Sequence, residues 1–176
     1  MAESTTKGIF LNGYVNAVEK EKGPEGIAKL RKLYGDLRFS GFKDYPYETE
    51  RKLSKAIITI MWGKESPDVW EKMGEFVFNI YIDNPIGKTM FSLLGRDLKK
   101  VAHTVDKIFN TVTTGYSVQV EDIGETQLKL TLGNCPDEKE LWLGIFKTAL
   151  KHFGYEPSVS VRALAPQQYE YVVTWA

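Results

Sequence analysis

A single cysteine, Cys135, stands among the 176 residues, so an intramolecular disulfide framework and a Cys-rich zinc site are both excluded. Histidine occurs only twice, as His103 and His152, so a metal centre would have to rest on carboxylates, and no metal site is predicted. Neither sign of charge is in excess, with 23 Lys and Arg against 23 Asp and Glu. That balance removes the electrostatic reason to expect a nucleic-acid partner or an acidic membrane surface. No apolar run is long enough to span a bilayer, and Met1 to Lys7 lacks the basic-then-apolar order of a secretory signal. The expectation is a cytoplasmic protein without membrane insertion. Phosphate-binding glycine loops, Ser-His-Asp patterns and metal-spaced His-Glu pairs are also missing, so no catalytic residue is assigned and an enzyme is not expected. What is present is a content of 43% apolar and 26% charged residues, enough for one sizeable core.

Apolar spacing divides the chain after a polar leader, residues 1–6, expected to be disordered; residues 7–176 read as one domain. Ile9, Phe10, Gly13, Tyr14, Ala17 and Val18 recur at helical period until Gly23-Pro24 interrupts them. A short second helix follows from about Glu25 to Tyr34, with Gly35 as its stop. Residues 36–46 read as a loop, and Tyr45-Pro46 leads into a third helix ending at Trp62-Gly63. Ser66-Pro67-Asp68 combines an N-cap hydroxyl, a first-turn proline and a first-turn acid, three agreeing signals for a fourth helix. Asn84-Pro85 opens a short fifth, and a sixth runs from about Asp97 to Asn110. At Gly115 the period changes from helical to alternating, predicting a hairpin through Val118, Val120, Leu128, Leu130 and Leu132. A seventh helix opening at Pro136-Asp137-Glu138 and a second hairpin through Val159, Val161, Tyr169, Tyr171 and Val173 complete the chain. The predicted class is α+β: an N-terminal helical layer packed on a mostly antiparallel four-stranded sheet, with a hairpin-helix-hairpin C-terminal half.

From Lys7 to Trp175 the chain resembles a bacterial domain family of unknown function that is abundant in myxobacteria. The matching stretches are Lys7-Gly8, Tyr45-Pro46, Met73-Gly74-Glu75-Phe76, Pro85-Ile86-Gly87, Leu94-Gly95-Arg96-Asp97-Leu98, Thr114-Gly115-Tyr116 and Leu143-Gly144-Ile145-Phe146. That family is similar to a wider group containing the heme and nitric-oxide sensor domains, the Golgi transport-particle subunits and the 4-vinyl reductase domains. The resemblance implies helices against an antiparallel sheet, with an apolar pocket between them in several members.

The resemblance points to binding more than to catalysis. Trp70, Phe76, Phe91, Phe109, Tyr116, Trp142 and Phe146 fall on apolar faces of neighbouring elements, and aromatic walls with few polar groups are what an apolar ligand needs. The leading reading is a non-catalytic sensor or carrier domain that holds a small hydrophobic ligand between helices and sheet. A plain packed core is the competing explanation of the same residues. The alternative reading is a ligand-free interaction or dimerisation module, with an exposed patch near Trp62 or at Tyr169 and Tyr171 meeting a protein partner or a second copy. Heme-based gas sensing is a weaker alternative and no cofactor is predicted: the heme sensors' Tyr-x-Ser-x-Arg motif is missing, with Tyr116-Ser117-Val118-Gln119 in this chain. His103 reads as a solvated surface residue and His152 as a cation suited to a helix C-terminus. Cys135 reads as a small apolar residue in a turn, with a reactive thiol ahead of a helix start as the alternative.

Overall fold

The computed structural model describes residues 4–95, 97–104, 114–115 and 117–176. The chain begins with β1 (Thr5–Lys7), α1 (Gly8–Tyr34) and β2 (Asp44–Pro46), followed by α2 (Tyr47–Trp62), α3 (Pro67–Asp83) and α4 (Pro85–Leu94). Residues 98–104 form a helical stretch, α5. Then come β3 (Ser117–Gly124), β4 (Gln127–Gly133), α6 (Lys139–His152), β5 (Ser158–Ala165) and β6 (Gln168–Thr174). Strands β3 to β6 make one antiparallel sheet in the order β3-β4-β6-β5, so the predicted α+β class and the hairpin-helix-hairpin half are observed.

The helical interruption at Gly23 is present as a break within α1: Gly23 has φ 62 and ψ −162, a conformation that a Cβ disfavours, and Pro24 follows it. Ser66 caps α3 as predicted, its hydroxyl accepting from the Val69 N–H at 3.3 Å, with Pro67 at the first helical position. Two features depart from expectation. Thr5, Thr6 and Lys7 pair antiparallel with Pro46, Tyr45 and Asp44, so part of the expected leader is strand and Thr6 is fully buried. α6 starts at Lys139 instead of Pro136, because Pro136 to Glu138 are held in a separate loop whose partners are described below.

On the sheet, Leu128, Leu130 and Leu132 alternate with Lys129 and Thr131, and Tyr171 and Val173 lie on the same inner face as their leucine partners. α6 lies against β5 and β6 on one side and against α3 on the other. The α3–α6 crossing is backbone on backbone. A Cβ at Gly74 would lie 2.0 Å from the Leu141 carbonyl oxygen, and one at Gly144 would lie 1.9 Å from the Glu71 carbonyl oxygen. Gly8 and Gly87 also stand against carbonyls, those of Ser40 and Tyr81. These glycines allow close packing, which gives four of the matching stretches a structural meaning. Among the described residues, no helix is long and apolar enough to cross a membrane.

Candidate functional site

Five of the seven predicted ligand-binding aromatics lie among the described residues, and their ring contacts fall into separate groups. Trp142 and Phe146 stack on each other with centroids 5.7 Å apart, and Phe146 meets the Tyr171 ring edge-on at 5.0 Å. Here the described aromatic side chains of α6 and β6 pack on one another. Phe91 belongs to another cluster with Phe78, His152 and Phe153. Phe76 packs between Tyr14 and Trp62, and Trp70 is buried at the junction of α3 with the loop before α6. Phe109 and Tyr116 lie outside the described residues.

The spot suggested for a partner at Tyr169 and Tyr171 is corrected by the alternation of β6. Tyr171 is fully buried, and its hydroxyl donates to the Lys139 carbonyl at 3.0 Å. Trp62 is also partly buried, with its ring edge-on to Phe76.

Two candidate sites emerge from the packing. The first is a cleft of about 420 Å³ between α1 and α3. Gly13, Ala17, Phe76 and Ile80 give it an apolar floor, and Asn12, Asn16, Asn79 and Asn84 place amides around the rim. The cleft flanks a close helix approach, since a Cβ on Gly13 would come within 2.6 Å of Ile80. Lys20, Glu21 and Asp83 add charged groups to that rim; the volume falls in the range of small-molecule sites, and the lining suits a molecule with an apolar body and several polar groups. Sequence periodicity placed Phe76, Gly13 and Ala17 on buried faces. The asparagines went unnoticed because amides at helical positions read as surface.

The second is a polar junction. Buried Glu50 of α2 accepts the Tyr14 hydroxyl of α1 at 2.7 Å. Burial raises the Glu50 carboxyl, and the bond from Tyr14 opposes that rise; burial beside Glu50 also raises the Tyr14 phenol. Partly buried Asp137 accepts the Trp142 indole N–H at 2.9 Å. Its carboxyl is raised to about 7 by burial, against the pull of the Trp142 bond, with Glu138 adding to the rise. Both acids line a cavity of about 10 Å³. Cys135 beside them is fully buried, and desolvation pushes its thiol up to about 12, opposite to what a reactive cysteine needs. The sequence places Asp137 at the opening of the last helix, and nothing in its neighbours marks it as the acceptor of a Trp142 bond.

The histidines are placed elsewhere. His103 Nε2 lies 2.8 Å from Asp122 Oδ1, and Lys99 pairs with the same carboxylate while donating to the Gly124 carbonyl. These contacts fasten α5 to the β3–β4 turn. His152 is exposed on the last turn of α6, its ring edge-on to Phe78 and Phe91. An axial heme ligand must point an unengaged ring nitrogen into an enclosed space. His103 is committed to Asp122 and His152 faces solvent, so neither fits that role. Among the described residues, no group of three or more His, Cys, Asp or Glu is arranged to hold a metal ion.

Comparison with solved structures finds the same fold in the H-NOX domains. A doubly substituted Tt H-NOX superposes with a TM-score of 0.75 at 14% identity, over 96% of this chain and 94% of that one. An oxygen-binding H-NOX domain related to soluble guanylate cyclases, in its oxygen complex, gives 0.73 at 14% identity over 96% and 94%. The Fe(II) unliganded H-NOX protein from K. algicida gives 0.65 at 14% over 97% and 96%. At this identity the likeness is one of fold. No curated protein matches the chain. The family model described as a protein of unknown function, DUF2378, matches residues 1–176, and the chain belongs to that family.

Proposed function

We propose that the protein is a non-catalytic sensor or carrier domain for a small, largely apolar ligand, and that the ligand lies in the cleft between α1 and α3. The cleft carries this reading. Its apolar floor and amide rim form a recognition surface of suitable size on the helical layer, whereas the described aromatics of the helix–sheet interface pack on one another. The fold supports it by analogy, since the oxygen-binding H-NOX domain is a ligand-binding protein built on the same architecture. A non-catalytic role agrees with the two histidines engaged or exposed at the surface and with the high thiol pKa of Cys135. Heme forms no part of the proposal.

Signalling requires an output surface, and here the proposal extends to a protein partner or a second copy. Phe42, 91% exposed in the loop between α1 and β2, is the most exposed large apolar side chain among the described residues and the first place to look for that contact. Ligand in the cleft would bear on Phe76, which touches Tyr14 and through it Glu50, so occupancy can be felt at the polar junction.

The test fills the cleft. The amphipathic dye 1-anilinonaphthalene-8-sulfonate is expected to bind the folded protein at one saturable site. Ala17→Trp, which places an indole in the cleft, is expected to weaken that binding at least tenfold while circular dichroism stays unchanged. Equal dye affinity in the folded variant would remove the cleft from the proposal.

A further inference from the structure

The four-stranded sheet ends in two edges that are built differently. At one edge, β3 carries Glu121 and Asp122, and its ladder to β4 shifts register between Asp122 and Gly124. α5 reaches that end of the strand: Lys99 donates to the Gly124 carbonyl, and His103 and Lys99 both engage Asp122. Charge, irregularity and cover are the usual means of keeping an edge strand from pairing. At the other edge, β5 is eight residues long and reads Ser-Val-Ser-Val-Arg-Ala-Leu-Ala, with no proline and no acid. Its one cation, Arg162, is held by Glu170 of β6 at 2.6 Å. The ladder to β6 is regular from Ser158 to Ala163, and among the described residues no strand pairs with the outer side of β5.

We infer that β5 is a pairing edge whose occupant is a second copy of this chain, with the two β5 strands antiparallel across a two-fold axis and the two sheets joined into one. The inference rests on the sheet edge alone and stands whether or not the cleft between α1 and α3 holds a ligand.

The register follows from the pleat. Opposite residues on paired strands must lie on the same face of the sheet. Val159, Val161 and Ala163 stand beside Val173, Tyr171 and Tyr169 on the inner face, and Ser158, Ser160 and Arg162 lie on the outer one. A two-fold axis at Val161 sets Val161 against its own copy, Val159 against Ala163 and Ser160 against Arg162. An axis at Arg162 would oppose two arginines, which is destabilising, and one at Ser160 shortens the overlap. The Val161 register also covers apolar surface: Val159 and Val161 are only half-buried, whereas Tyr171 beside Val161 is fully buried.

The same edge argues for a second copy over a foreign strand. β5 carries no charge pattern that would select a different partner, and in this register it complements itself. Each copy offers one open edge, since β3 is charged and met by α5, so the pairing closes as a dimer and does not run on as a filament. Pairing along one strand buries little area, so the dimer is expected to dissociate on dilution.

Sedimentation velocity of the full chain over a concentration series is expected to show a monomer–dimer equilibrium. Hydrogen exchange is expected to slow at the outward amides of residues 158–163 as the dimer forms. Ser160 meets Arg162 of the second copy twice across the axis, so the sign of a charge placed there sets the direction of the effect. Ser160→Lys is expected to weaken the dimer about fivefold, and Ser160→Asp to tighten it by a similar factor. Residue 160 is exposed and pairs with Val172 in its own chain, so neither change disturbs the core. A monomer at every concentration up to about 1 mM, the weak end of specific association, would overturn the inference. So would a dimer indifferent to both substitutions, or one whose β5 amides exchange as they do in the monomer, because another face would then join the copies. Should Ser160→Lys fail to fold, Ser160→Asp and the wild-type amides still decide the matter.

Discussion

Gly74 and Gly144 show what a single residue decides in this protein. Each faces a carbonyl of the opposite helix across the α3–α6 crossing, about 2 Å from where a Cβ would sit. Backbone cannot swing aside as a side chain can, so Gly74→Ala or Gly144→Ala must push the helices apart. Each variant is expected to lose at least about 2 kcal/mol in denaturant unfolding, near the upper part of the usual overpacking range. A loss below about 0.5 kcal/mol would mean that the crossing is looser than described. These glycines were visible in the sequence as matching stretches, but their role was not, because the contact joins residues 70 positions apart. The same holds for Asp137. Its sequence setting, Pro136-Asp137-Glu138, is that of an ordinary helix start, and only its bond from Trp142 and the tethers from Arg51 to its two neighbours show that it sits in a held loop. Cys135 was legible in its bland reading: it is a buried apolar residue in a turn.

Elements were legible where local chemistry and tertiary packing agree. Ser66 and Pro67 start α3 where their side-chain preferences put it, and the Gly23-Pro24 pair breaks α1. Ser66→Ala is expected to destabilise the protein by about 1 kcal/mol, read as a lower urea midpoint with an unchanged slope. A neutral result would show that the N-terminus of α3 is held by packing alone. The alternation of β4 places Leu128, Leu130 and Leu132 inside, because one residue of slippage would turn them to solvent, whereas Tyr171 of β6, expected in an exposed patch, pairs with Leu130 on the inner face. β1 and β2 escaped notice because three residues hold too little periodicity to distinguish strand from loop, and their pairing spans about 40 residues. Aromatic content at apolar faces marked the core, where Trp70, Phe76, Trp142 and Phe146 are buried. Periodicity reports which face is buried, whereas convergence on one cavity depends on how the elements are placed in three dimensions.

At the scale of the molecule, the α1 and α2 side is joined to the sheet through α3 packed on α6 and through the tethered loop of residues 135–138. Such an arrangement lets an event in the helical layer reach the hairpins by two routes, one a rigid crossing and the other a polar junction built around titratable groups. The H-NOX fold was anticipated by the resemblance drawn from the chain, and the comparison of structures bears that out. The central claim is that this version of the fold holds a small molecule in its helical layer. Native mass spectrometry of the freshly purified protein, set against its denatured mass, tests that claim most directly. The account predicts a non-covalent adduct of a few hundred daltons that disappears on denaturation and is missing from Ala17→Trp. A bare chain in the native spectrum, or an adduct that Ala17→Trp retains in full, would contradict it.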